Sequence, residues 1–201
     1  MKKLTTYLNE KLIVNQRFDE KLIINKDYAH TYYPKTWGEL RQIIRDTYDE
    51  LGSGTEQNPI DFNDIDVSNI DSFYDGSIGI FEGTQFEYID ISWWDVSNVK
   101  DMSFMLYNCS QLKSVGDLSN WDVSGVEYML GMFYKCEKLK SLGDLSNWIV
   151  SKVKNMYCMF FNCEKLKSVG DLSDWNVSSV IDMGYMFSNS GITNIPDWYK
   201  Q

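Results

Sequence analysis

The chain has 201 residues, 43% of them hydrophobic and 24% charged, which suits one sizeable domain or a small one beside a repeat array and excludes global disorder. Its formal charge of −10 is unevenly placed: residues 1–59 carry nine Lys and Arg against nine Asp and Glu, so residues 60–201 carry ten against twenty. Such a surface repels phosphate backbones and argues against nucleic acid as the main partner, and no apolar run reaches half a membrane span, which argues against membrane insertion.

The first twelve residues, MKKLTTYLNEKL, have a basic start but no apolar stretch behind it and no early cysteine for lipid attachment. General secretion is not encoded there, so a cytoplasmic or virion-associated location is expected. Leu8–Arg17 is followed at once by a ten-residue echo, Phe18–Asp27, in which Glu20-Lys21-Leu22-Ile23-Ile24-Asn25 repeats Glu10-Lys11-Leu12-Ile13-Val14-Asn15. Its β-branched runs suit short strands, while Leu4, Tyr7 and Leu8 suit helical turns equally well. The segment is either a folded lead-in or a docking tail for a larger assembly.

The spacing predicts a helix over residues 37–51. Thr36 with Glu39 forms a capping box, and Pro34 prevents an earlier start. Trp37, Leu40, Ile43, Ile44, Thr47 and Leu51 fall on one face, with Arg41, Arg45, Asp46, Asp49 and Glu50 on the others, and Gly52 suits the C-cap. The apolar face is expected to cover the open end of a repeat stack. Residues 1–59 are thus a lead-in and capping helix, and residues 60–201 an array of about five repeats.

That array has a fixed period. Trp94, Trp121, Trp148 and Trp175 open successive copies of one pattern, 27 residues apart. A degenerate first copy begins at Asp61-Phe62-Asn63, with Ile65 in the Trp position, and the last copy is clipped before Pro196. Phe86, Ile89, Ile91, Trp94 and Val96 match the spacing of a leucine-rich-repeat strand and its exit, with Trp in the Asn slot. Gly116, Gly143 and Gly170 are added in the three central copies. Ser68, Ser97, Ser124, Ser151 and Ser178 recur before a stretch with Met or aromatic residues at three-residue steps. They are expected to N-cap a short helix or 3₁₀ turn, with Glu127 completing a capping box on Ser124. Val99, Met102, Met105 and Leu106 would then face inward. A single repeat cannot bury enough apolar surface to fold alone, so the stack is the folding unit.

These copies, carried by Trp121-Asp122-Val123-Ser124, Met129, Met132-Phe133, Cys136 and Leu139, closely resemble the BspA-like leucine-rich-repeat surface proteins, common in gut and oral bacteria and found in some of their phages. The resemblance spans roughly 61–198. It implies a curved leucine-rich-repeat-like solenoid used for adhesion or protein binding, with no catalytic residues to carry over. Surface members of that family have export signals, which this sequence lacks, favouring an intracellular or phage-encoded relative.

The expected fold is therefore α/β: a right-handed leucine-rich-repeat-like solenoid with a short-stranded parallel sheet and an N-terminal helical cap. Cys109, Cys136 and Cys163 share one repeat position and could form a metal or disulfide ladder. Without CxxC pairs, and with His30 the only histidine, they read better as small buried hydrophobes. The Trp column could offer a sugar-binding face, but its slot favours the core. Trp93 replaces Asn120, Asn147 and Asp174 and is expected to be an exposed contact residue. Asp117, Asp144 and Asp171 with Ser119, Ser146 and Ser173 are expected to point outward beside Lys113, Lys140 and Lys167, as a solvated face or as a ligand-facing strip; loosely held calcium on that strip is the weaker option because a full site needs about six or more oxygens. No nucleophile–base pair, phosphate loop or HExxH is present, and no cofactor is implied. The expected function is non-enzymatic protein or glycan binding, with a structural, phage-virion component tethered by residues 1–30 as the alternative.

Overall fold

The computed structural model describes residues 30–200, so the ten-residue echo and all of the proposed tether but His30 lie outside the described residues. Helix α1 spans Trp37–Leu51. The Thr36 hydroxyl accepts from the Glu39 amide at 3.2 Å, and the Glu39 carboxylate reaches back to the Lys35 amide at 2.7 Å. Gly52, at φ 74°, ends the helix by donating to the Tyr48 carbonyl. Leu40, Ile44 and Thr47 are the buried face of α1, and Leu40 and Ile44 join the same core as the repeats.

Two short strands follow, β1 (Ile60–Asp61) and β2 (Ile89–Asp90), paired in parallel with Ile60 opposite Ile89. Further along each repeat, single parallel bridges join Asp101 to Tyr128, Tyr128 to Asn155 and Asn155 to Asp182, 27 residues apart each time. Successive repeats therefore lie side by side in constant register. The step from Ser72 to Asp101 is 29 residues, because the first repeat carries the longer Asp75-Gly76-Ser77 loop. The Asp75 carboxylate accepts from the amides of Ser77 and Ile78, which closes that loop locally.

The stretch expected to be a short helix or 3₁₀ turn forms no continuous helix but a run of single i→i+3 turns; α1 is the helix among the described residues. The amides of Met129, Gly131, Phe133 and Lys135 instead donate to the carbonyls of Asn155, Tyr157, Met159 and Phe161 in the next repeat, at 2.8–3.0 Å. Between them, the amides of Met132, Tyr134 and Cys136 close tight turns onto Met129, Gly131 and Phe133. This zigzag needs left-handed residues at fixed places, and Phe104, Asn108, Lys135, Cys158, Asn162, Tyr185 and Asn189 all have φ between 55° and 59°. Three-residue apolar spacing is preserved, so Val99, Met102, Met105 and Leu106 are fully buried even without a helix.

Serine does not cap either. The Asp122 carboxylate accepts from the Ser124 amide at 3.0 Å, and Asp95 accepts from both the amide and hydroxyl of Ser97. The Asp two residues earlier is the acceptor, making an Asx turn. Glu127 makes no capping box: it pairs with Lys154 of the next repeat at 2.5 Å.

The Trp column runs through the core. Trp121, Trp148 and Trp175 stack with centroids 6.4 Å apart and planes within 4° of parallel. Each indole donates to a carbonyl of the preceding repeat, from Trp121 to Ile91, Trp148 to Leu118 and Trp175 to Leu145. Trp198 adds a further ring, stacked on Trp175 at 6.3 Å and bonded to the Leu172 carbonyl. It was not legible as a column member because it follows Trp175 by 23 residues rather than 27.

At the opposite end, Arg41 of α1 seals the first repeat. Its guanidinium donates to the carbonyls of Gly79, Ile80 and Glu82 at 2.5, 2.8 and 2.7 Å. Ile80 and Glu82 occupy the positions of Met132 and Tyr134, whose carbonyls accept from Leu106 and Asn108 of the repeat before. The planar fork of Arg41 thus supplies donors where a preceding repeat would have supplied amides.

Candidate binding surface

The outward Asp and Ser positions are built by one local rule. A buried residue (Leu118, Leu145 or Leu172) anchors the backbone between them, which turns Asp and Ser to the outside. Asp117, Asp144 and Asp171 then accept from the amides of Ser119, Ser146 and Ser173 at 2.9, 2.9 and 3.0 Å. The same turn recurs at Asp90 with Ser92 and at Asp61 with Asn63, so the ridge starts earlier than the three columns identified from the sequence. Alignment at the repeat period was the signal that would have found Asp90 and Ser92.

The repeats stack so closely here that glycine is required. A Cβ on Gly143, at φ 84°, would lie 1.9 Å from the Asp117 carboxylate oxygen, and one on Gly170 would lie 1.9 Å from that of Asp144. This explains the glycine added in the central copies. Gly143→Ala is expected to cost about 1–3 kcal/mol in equilibrium unfolding, from the left-handed backbone and the displaced carboxylate together. Adding Asp117→Ala should recover the second part only.

Hydrogen bonds hold two carboxylates of the ridge below their usual range: the Ser146 amide and hydroxyl for Asp144, and the Ser173 hydroxyl and amide for Asp171. Ser124 does the same for Asp122. Because the folded values are lowered, the stabilisation is complete above the unfolded-chain value of about 3.9 and is lost as pH falls through the folded values. The unfolding midpoint should therefore fall on acidification below about pH 4, and less steeply in Asp144→Asn than in the parent chain.

Trp93 stands in the second turn of this ridge, next to Ser92, and is 53% exposed. Its amide donates to the side chain of buried Asn63 at 2.8 Å, which fixes the backbone beneath the free indole. A groove of about 250 Å³ is lined by Asp90 together with Tyr88, Lys113, Ser114, Lys140 and Ser141 among others. Lys113 lies over the Tyr88 ring at 5.1 Å and pairs with Glu87, so one of the lysines beside the acidic ridge is already engaged. Tyr88 had no repeat counterpart to draw attention to it: the bridged position in the next repeat is Ser114.

The cysteine column lies inside. Cys109, Cys136 and Cys163 are buried free thiols facing the carbonyls of Phe81, Leu106 and Phe133. Burial pushes Cys109 and Cys163 up to about 12 and Cys136 well above its ordinary value, which keeps them protonated and poorly nucleophilic. Among the described residues no cluster of three or more His, Cys, Asp or Glu could hold a metal ion, and no helix is long and apolar enough to cross a membrane. The ridge carboxylates are committed to their own Asx turns rather than converging on one point.

No curated protein and no solved structure matches the chain. A family model does match, over residues 58–198, which takes in every repeat from β1 to Trp198. By that match the chain belongs to the family described as Mycoplasma protein of unknown function, DUF285, which is related to the BspA-like proteins.

Proposed function

We propose that this chain is a non-enzymatic module that binds a protein or glycan through the Trp93 end of the Asp–Ser ridge. The stacked repeats are read as a right-handed leucine-rich-repeat-like solenoid, with α1 as its cap and the ridge and groove on its strand face. The observation that carries the reading is Trp93 itself, a large indole left in water where the other repeats place Asn120, Asn147 and Asp174. Amphipathic aromatic side chains beside polar groups are the common anchors of protein and sugar recognition.

The test is capture of a partner from the native host with the whole chain, followed by titration of that partner against Trp93→Ala. The reading expects affinity to fall at least about tenfold, the loss of a contact worth 1.4 kcal/mol or more. Unchanged affinity in Trp93→Ala and in a triple Asp117/Asp144/Asp171 alanine variant would contradict the strand-face reading. The assembly-component alternative predicts that deleting residues 1–30 abolishes association while leaving partner binding intact.

A further inference from the structure

The two ends of the stack are chemically unlike. At the first repeat, the carbonyls that face away from the array are occupied by Arg41. At the last repeat, the groups facing away are amides. In the preceding repeat, the amides of Met156, Cys158, Phe160 and Asn162 donate to Asp182, Gly184, Met186 and Ser188 at 2.8–3.0 Å. The same register makes Met183, Tyr185, Phe187 and Asn189 the next row of donors, and none of these four amides has a hydrogen-bond partner among the described residues. Phe187 is only 6% exposed, its ring packed against Phe160 and Tyr199. The carbonyls of Met183, Tyr185 and Phe187 are turned inward, accepting from Met186, Ser188 and Ser190.

This row therefore differs from an ordinary strand edge, which alternates donors and acceptors. It offers donors alone, and a second copy of the same row cannot pair with it. A second copy's first repeat cannot either, because Arg41 already fills its carbonyls. The row is flanked by Ile181, 86% exposed, and Tyr185, 59% exposed, in the positions that Lys154 and Cys158 hold one repeat earlier. The opposite side of this end is closed by Trp198 and by Tyr199, which packs edge-on against Phe187.

From this we infer that the amide row of residues 183–189 is a docking edge for a polypeptide segment of another protein. That segment presents main-chain carbonyls at every second residue, as each repeat here presents them to the one before, and lays an apolar side chain on Ile181 and Tyr185. Main-chain bonds would supply the affinity and the two side chains the selectivity, the division seen when a partner strand is added to a sheet edge.

The probe is a synthetic peptide copying residues 178–193, which carries the carbonyls of Asp182, Gly184, Met186 and Ser188 at the required spacing. It is titrated into the isotopically labelled full chain while backbone amide resonances are followed. The inference expects the amides of residues 183, 185, 187 and 189 to shift most and to exchange more slowly with solvent. Ile181→Asp combined with Tyr185→Asp, two exposed substitutions that leave the core intact, should weaken the peptide at least about tenfold. No shift in these four amides at millimolar peptide would overturn the inference. So would equal shifts from sodium acetate, which would make the row an anion site. A concentration-dependent dimer lost in the double variant would overturn the choice of a foreign partner.

Discussion

Trp148→Ala is expected to lower the unfolding free energy by about 3–5 kcal/mol, the usual range for emptying a buried aromatic site. Trp148 is 3% exposed and sits between Trp121 and Trp175, so its loss removes two stacked contacts and leaves a cavity between repeats. Its indole also donates to the buried Leu118 carbonyl at 3.0 Å, which in the alanine variant would keep only its bond from the Trp121 amide. Trp148→Phe retains much of the stacking but not the donor and should cost less, on the order of 1–3 kcal/mol. Denaturant titration by circular dichroism separates the two. If Trp148→Ala and Trp148→Phe were equally mild, the column would not be structural.

Removing the Arg41 guanidinium is the second large effect. Arg41→Ala withdraws three charge-assisted bonds from Gly79, Ile80 and Glu82, and Ile80 lies in the core. A loss of about 3 kcal/mol is expected from the three charge-assisted bonds together, the Gly79 carbonyl keeping its bond from the Glu82 amide. The guanidinium also lies over the Trp37 ring at 5.4 Å, so α1 loses part of its hold on the repeats. Arg41→Lys keeps the charge but presents a point donor in place of a fork, and should recover less than half. Amide hydrogen exchange should quicken first in residues 79–84, with the central repeats responding only through global unfolding.

Much of this architecture was legible because it is periodic. The 27-residue step located the Trp, Cys and Met columns, and inward packing followed from their residue types. Helix α1 was legible from its ends, Thr36 with Glu39 at one and Gly52 at the other, since caps are local chemistry. What was not legible depends on backbone geometry that residue names do not announce. Three-residue apolar steps fit a helix and also fit the left-handed zigzag at Phe104 and Asn108, and only the bonds to the next repeat distinguish them. Asp-x-Ser before a Met-rich stretch fits a serine cap and an Asx turn alike; the Asp side chain decides for the turn.

The candidate surface followed the same division. Trp93 was legible as a break in a polar column. Asp117, Asp144 and Asp171 were legible as outward-facing, but their engagement by the following serines and their contact with Gly143 and Gly170 were not, because those are relations between neighbouring repeats. Arg41 appeared as one of several charges on the polar faces of α1. Its reach to the first repeat depends on how the helix is set against the stack, which no spacing within the helix encodes.

Residues keeping the 27-residue period hold the fold, whereas Trp93, which breaks it, belongs to the surface. Side-by-side equilibrium unfolding of Trp93→Ala and Trp148→Ala tests this most directly. Trp93→Ala is expected to unfold within about 0.5 kcal/mol of the parent chain, as exposed substitutions do, while Trp148→Ala loses several times that. Comparable losses in the two variants would contradict it.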